Sequence, residues 1–301
     1  MASTGFGWGK TILFGEHFVV YGTEAIAVGL DRGITVTLER SEQDEGPSDE
    51  HADAVKQAVQ IIRQAAGVSE QVRVLLIESA LPVGQGTGSS AALSVAIARA
   101  IAKEFALALP EERINAIAYE AEKFFHGTPS GIDNTLATYG GAILFQKRPV
   151  HPDENRIERF LPGKPFWLVI ISSGTRAATR EMVAEVRLRR DRQEEVFSQF
   201  CAASSRISSQ AHQVLLSGDL DALGELMNLN HGLLVGIGVS TVRLDTIVHT
   251  ARAQGALGAK LTGGGGGGCV IALFPDQDSA VAAQGHFQAE LLAAYTVRIG
   301  S

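Results

Sequence analysis

Cysteine is scarce: the 301-residue chain holds only Cys201 and Cys269. Neither their number nor their spacing builds a disulfide framework or a zinc site, so both thiols are expected to be reduced. An excess of basic charge is missing as well. Lys and Arg total 26 against 33 Asp and Glu, a net charge of -7, which offers no general grip on a phosphate backbone and argues against nucleic acid as a partner. Long apolar runs are lacking too, since stretches such as Ala91 to Ile101 fall short of the ~20 residues a membrane span requires. Residues 1–20 have neither the basic start nor the apolar middle of a secretory leader. The expectation is a soluble, cytoplasmic protein with no membrane partner. No internal repeat of short period is evident.

What is present is a 45% hydrophobic composition, enough for one large domain or two medium ones sharing a cleft. A strand is expected at Thr11 to Phe14. Another follows at Ile34 to Glu39, where Ile34, Val36 and Leu38 alternate with polar residues as a half-buried strand requires. The acidic segment Glu42 to Glu50 reads as an exposed loop before a helix from Ala52 to Ala66, and Val72 to Ile77 as a further strand. Leu93, Ile97, Ile101 and Phe105 recur every four residues, predicting an alanine-rich helix over Ser89 to Phe105. Pro110 opens the next helix, which ends near His126.

A strand at Ala142 to Phe145 leads into the polar, Pro-containing run His151 to Lys164, taken as the domain boundary. Beyond it come a strand at Trp167 to Ile171, helical stretches through Met227, an apolar strand at Cys269 to Phe274, a helix, and a last strand at Tyr295 to Ile299. Strands and helices mixed without regular βαβ repetition predict an α+β fold in both halves, 1–164 and 165–301. Arg187, Arg189, Arg190 and Arg192 lie among Glu185, Glu194 and Glu195 and read as a solvated helix.

Four segments carry chemistry. In Leu81-Pro82-Val83-Gly84-Gln85-Gly86-Thr87-Gly88-Ser89-Ser90, alternate glycines can turn backbone N–H groups inward just before a helix N-terminus, an arrangement that favours a polyphosphate. A glycine-rich turn with Ser89 or Ser90 as a plain helix cap is the competing role. The run Gly258-Ala259-Lys260-Leu261-Thr262 followed by Gly263 to Gly268 and Cys269 suggests backbone pressed against a ligand, with a flexible linker as the alternative. Asp133 follows a turn containing Gly127, Pro129 and Gly131, which can hold a carboxylate at a cleft, and Glu122 lies on the preceding helix; a base and a metal ligand, or a turn residue and a solvated carboxylate, both fit. Lys10, Glu16 and His17 bracket an apolar strand, at whose ends ligands are commonly held.

Two phosphate motifs are excluded. Gly5-Phe6-Gly7-Trp8-Gly9-Lys10-Thr11 looks like a P-loop, but Thr4 stands where its first glycine belongs and a β-type run follows in place of a helix. After Gly84 and Gly86 the Rossmann pattern requires a third glycine where Ser89 stands.

In order and rough separation the four segments resemble those of the GHMP kinases. The wording of Gly-Lys-x-x-Leu-Phe-Gly-Glu-His-x-Val-Val-Tyr-Gly and of His-Gly-Thr-Pro-Ser-Gly-Ile-Asp is similar to that of the mevalonate kinases among them. The resemblance covers about residues 9 to 270. It implies a two-domain α+β fold with a ferredoxin-like second domain and the active site in the cleft between domains. It further implies ATP-dependent phosphorylation of a small-molecule hydroxyl, that of mevalonate in isoprenoid biosynthesis. By the same resemblance Pro82, Gly84, Gly86, Gly88, Ser89 and Ser90 wrap the ATP phosphates, and Gly263, Gly264, Gly265 and Gly266 close over the nucleotide. Ser90 and Glu122 hold Mg²⁺, Asp133 faces the substrate hydroxyl beside Lys10, and Glu16, His17 and Thr179 contact the substrate. A homodimer is left open. So are a phosphomevalonate, mevalonate 3-position, sugar or homoserine kinase, and a non-catalytic ligand-binding protein of the same fold. One departure is Trp8, which stands where the family usually has Pro before the Gly-Lys pair.

Overall fold

The computed structural model describes residues 2–46, 52–81, 86–126, 129–148, 155–175 and 179–300, without the side chains of residues 126 and 179. The chain divides into two compact units, Met1–Lys10 with Gly29–Gly140, and Thr11–Val28 with Gly141–Ser301. A cut near residue 164 is a different partition. Two long strands account for the difference: β1 (Ser3–Phe14) and β2 (Glu24–Ser41) each serve both units, which loop composition does not reveal. Of the His151 to Lys164 run, residues 151–154 lie outside the described residues, and Arg156–Phe160 forms strand β5.

The first unit pairs the second part of β2 antiparallel with β3 (Gln71–Ser79), Ile34 opposite Ser79 and Ser41 opposite Gln71. Its helices are α1 (Ala52–Ala65), α2 (Ser89–Glu104), α3 (Glu111–His126) and α4 (Ile132–Tyr139), and they pack on one another. The core of α2 is alanine and aliphatic, with Ala91, Ala92, Val95, Ala96, Ile97, Ala100 and Ile101 buried. Strand β1 lies directly on its backbone, since a Cβ on Gly7 would sit 2.1 Å from the Ala92 carbonyl oxygen. The P-loop-like glycines are thus packing residues of a strand. Trp8, on the partly exposed face of β1, meets Phe6 edge-on at 4.6 Å.

In the second unit the first part of β2 pairs antiparallel with β4 (Ala142–Gln146), which pairs with β5. A separate four-stranded antiparallel sheet contains β6 (Phe166–Ser172), β7 (Gly258–Thr262), β8 (Cys269–Phe274) and β9 (Ala294–Ile299) in the order β7-β8-β6-β9. Between β6 and β7 run α5 (Thr179–Arg192), α6 (Glu194–Ser217), α7 (Leu220–Gly236) and α8 (Val242–Ala253), and between β8 and β9 runs α9 (Gln277–Ala289). With these four helices counted as one crossover the order is β-α-β-β-α-β, the ferredoxin-like plan. The continuous apolar run of β8 is buried along its length and that of β6 everywhere but at the half-buried Trp167, as strands covered on both faces require. Helices α7, α8 and α9 are capped by Asp219, Thr241 and Asp276, each accepting a backbone N–H. Arg189 on α5 pairs with Glu185 at 3.1 Å on an exposed face, as a solvated helix requires. No helix among the described residues is long and apolar enough to cross a membrane.

Candidate active site

In the first unit the polar groups gather at the start of α2. Unlike α7 to α9, this helix begins at a glycine, Gly88, in left-handed conformation (φ 72°) with no capping side chain. Ser89 and Ser90 are its first two residues, so neither is the plain cap considered above. A Cβ on Gly88 would sit 2.8 Å from Cγ of Lys10, whose backbone N–H donates to the Thr87 carbonyl at 2.9 Å. This glycine therefore lets the lysine stem lie along the helix start. The Lys10 ammonium lies 3.2 Å from Asp133 Oδ1, the lysine side chain 8% exposed and the aspartate 33%. Asp133, expected to follow a turn, is the second residue of α4, which starts after Gly131 (φ 87°). The preceding Gly- and Pro-rich string masks that helix start in the sequence, and Gly127 and Thr128 of that string lie outside the described residues.

Ser90 Oγ donates to Glu122 Oε2 at 3.3 Å. Glu122, on α3 and 1% exposed, is far from a solvated helix carboxylate. Burial pushes its carboxyl up to about 7 and the Asp133 charge adds to the rise, while the Ser90 hydrogen bond and Lys10 oppose it. Hydroxyl and carboxylate oxygens are the hard donors Mg²⁺ takes, usually one or two carboxylates completed by phosphate oxygens and water. Ser90 and Glu122 fit that donor set. Among the described residues no group of three or more His, Cys, Asp or Glu side chains could hold a metal by itself.

In the second unit a turn after β1 carries Glu16 and His17. His17 adopts φ 63° and ψ −45°, a strained positive-φ conformation that costs a non-glycine residue free energy and concentrates at functional sites. Its Nε2–H donates to the Gly264 carbonyl at 2.9 Å, and burial pulls its pKa below the ordinary imidazole value, against the opposing pull of that hydrogen bond and of Glu16. Glu16 is 2% exposed. Its Oε1 accepts from the ammonium of Lys260, and its Oε2 accepts from Asn230 Nδ2 at 3.4 Å. Lys260 and Asn230 were not among the expected site residues. The available signal was a lysine within the apolar segment Ala259 to Leu261 and an asparagine on the apolar helix α7.

The glycine run is the tip of the β7–β8 hairpin, closed by the pair Thr262 and Cys269, and not a linker. Gly265 (φ 71°) is held so tightly that a Cβ would lie 2.3 Å from the Val239 carbonyl oxygen, which Gly266 N–H meets at 2.8 Å. The hairpin tip brings Gly264 to His17, while Gly265 and Gly266 lie against Val239. Of the remaining expected residues, Gly86 is described with φ 73°. Pro82 and Gly84 lie outside the described residues. Thr179 is the first residue of α5, but its side chain is outside the description.

Comparison with known proteins shows the family. The family models described as GHMP kinases N terminal domain and GHMP kinases C terminal match residues 53–141 and 211–292. Mevalonate kinase of Thermococcus gammatolerans is 36% identical, the match covering 91% of this chain and 89% of that protein. Mevalonate kinase of Pyrococcus furiosus is also 36% identical, with the same coverage. Among solved structures, L. major mevalonate kinase in complex with R-mevalonate is similar with a TM-score of 0.85 at 34% identity, covering 99% of this chain and 96% of that one. A galactokinase of Lactococcus lactis shares the fold at a TM-score of 0.74 and 23% identity, covering 100% of this chain and 94% of that one. The chain belongs to the GHMP kinases, on their mevalonate kinase branch.

Proposed function

We propose that the protein transfers the γ-phosphoryl group of ATP to the 5-hydroxyl of mevalonate, giving 5-phosphomevalonate for isoprenoid synthesis. The observation that carries this reading is the 3.2 Å pairing of Lys10 with Asp133 in the same unit as the open glycine start of α2. Phosphoryl transfer asks for in-line positioning and charge neutralisation more than for covalent chemistry. Asp133 accepts the proton of the attacking hydroxyl, and Lys10 stabilises the oxygen as it gains negative charge. The triphosphate lies against Gly86, Gly88, Ser89 and Ser90, where helix N–H groups favour an anion. Pro82 and Gly84 belong to the same phosphate loop by family likeness, and Thr179 to the acceptor side.

Ser90 and Glu122 would hold Mg²⁺, which when bound neutralises charge on the β- and γ-phosphates. Burial, which raises the Glu122 carboxyl to about 7, favours its neutral form without a cation, and a bound cation would favour the anion. Glu16 and His17 contact mevalonate. Gly263 to Gly266 close over the nucleotide, and the His17 bond to Gly264 links substrate contact to that loop. Support for mevalonate as acceptor comes from the 34% identical relative solved with R-mevalonate. Both reactants are small water-soluble anions, which suits a cytosolic reaction. An ADP-release assay across mevalonate, phosphomevalonate, galactose and homoserine tests the assignment. Turnover is expected with mevalonate; negligible rate with it, and turnover of another acceptor, would refute the reading.

A further inference from the structure

A lysine with no solvent exposure is rare unless it is paired, because stripping water from an ammonium is costly. Lys260 on β7 is 0% exposed, and its amine donates to Glu16 Oε1 and to the Leu261 carbonyl. Glu16 is itself 2% exposed. The strand bearing the lysine is tied to the end of β1 just before Glu16, where Thr262 Oγ1 donates to the Ile12 carbonyl at 2.9 Å. Behind it, Leu261 N–H donates to His231 Nδ1 at 3.4 Å, and His231 Nε2 lies 3.3 Å from Asp245 Oδ1.

We propose that Lys260 is a positioning residue that neutralises and orients Glu16, so that a buried acidic side chain can accept a hydrogen bond from a hydroxyl of an anionic acceptor. The inference rests on the reading of mevalonate as substrate. An isolated, ionised Glu16 would place a second negative charge beside the carboxylate of mevalonate, and like charges in a desolvated site repel strongly. Paired with Lys260, the side chain contributes no net charge, with the proton on either partner. Burial pulls the Lys260 pKa down while Glu16 holds it up, as expected for two groups that depend on one another.

The pair still leaves hydrogen-bonding capacity for a ligand. Glu16 Oε2 receives only the 3.4 Å bond from Asn230 among the hydrogen bonds described, and a carboxylate oxygen can accept two. Asn230, fully buried, has a side-chain oxygen without a hydrogen-bond partner among the described residues. An acceptor oxygen and a second acceptor beside it match the hydroxyl groups of a polyol acid. Lys260 itself touches no substrate; it sets what Glu16 presents.

The test compares the intact wild type, Lys260→Met, Glu16→Gln and the double variant with both changes. KM is measured for R-mevalonate, for its uncharged methyl ester and for ATP. Lys260→Met is expected to raise KM for mevalonate about 10- to 100-fold, the scale of one uncompensated charge in a partly desolvated site. KM for ATP and for the ester should stay within about threefold, the spread ordinary for context-dependent effects. The double variant, uncharged at both positions, should have a lower KM for mevalonate than Lys260→Met and unfold at a higher urea midpoint than Lys260→Met. If Lys260→Met raises the three KM values alike, or the double variant is no better than Lys260→Met in either measurement, the proposal is overturned. A wild type that does not phosphorylate mevalonate would refute the function reading, whereas the urea midpoints would still decide whether Glu16 and Lys260 form a mutually dependent neutral pair.

Discussion

Lys10 and Asp133, 123 positions apart in sequence, meet at 3.2 Å, and the chemistry proposed here turns on that pair. Replacing Asp133 by Asn removes the proposed proton acceptor while keeping shape; kcat should fall by at least ~10²-fold, read in a coupled ADP assay. Glu122 offers a test of opposite sign. Its folded carboxyl titrates near 7 against an ordinary 4.5, so its contribution to stability is complete below about 4.5 and is lost as pH rises through 7. Glu122→Gln should therefore unfold at a higher urea concentration than wild type at pH 8, by up to ~3 kcal/mol, and at nearly the same concentration at pH 4. The same variant should need more Mg²⁺ for half-maximal rate. A site that holds a destabilised carboxylate in this way gives up stability for function.

Lys10, Ser90, Glu122 and Asp133 could be picked out as candidates because they stand in distinctive strings of glycine and polar residues, and the fold pairs Lys10 with Asp133 and Ser90 with Glu122. Lys260 and Asn230 could not be picked out. A single lysine in a strand carries no sign of its partner, and Glu16 lies 244 positions away. Only the folded chain identifies the pair.

At the scale of elements, glycine placement decides the geometry. The hairpin between β7 and β8 folds Gly265 against the Val239 carbonyl with a left-handed backbone. Gly265→Ala should destabilise the protein by about 1–2 kcal/mol from backbone conformation alone, with overlap adding more, and should raise KM for ATP. Urea unfolding and initial rates read the two effects separately. Strongly periodic elements such as α2 were visible in sequence, because one residue in four recurs on its buried face. The start of β1 at Ser3 and the first part of β2 were not, since glycine and alanine fill positions where a side-chain pattern would show. Strand β7 was missed for a related reason: its five residues include a lysine, and the glycines after it read as loop. Strand β5 was hidden within a charged, Pro-containing stretch that composition marks as a boundary.

For the whole molecule, the mixed order of strands and helices pointed to the α+β class, and the two compact units divide at positions other than residue 164. Strand β1 brings Lys10 to one unit, and the turn that follows it brings Glu16 and His17 to the other, so both constellations depend on one short stretch of chain. Ligand linkage at this scale follows from the assignment of phosphate contacts to α2. Mg-ATP at a hundred times the wild-type Kd should stabilise wild type by ~2.7 kcal/mol, and at that same concentration Asp133→Asn by as much, because in the proposed mechanism Asp133 acts on the acceptor and not on the nucleotide. Thermal unfolding with and without nucleotide checks this.

The most direct measurement is ³¹P NMR of the product formed from ATP and R-mevalonate by wild type and by Asp133→Asn. The account predicts a phosphomonoester at the 5-oxygen accumulating with wild type, at a rate at least ~10²-fold above that of a variant that still binds ATP. An equal rate from the two proteins, or no phosphomonoester from wild type, would contradict it.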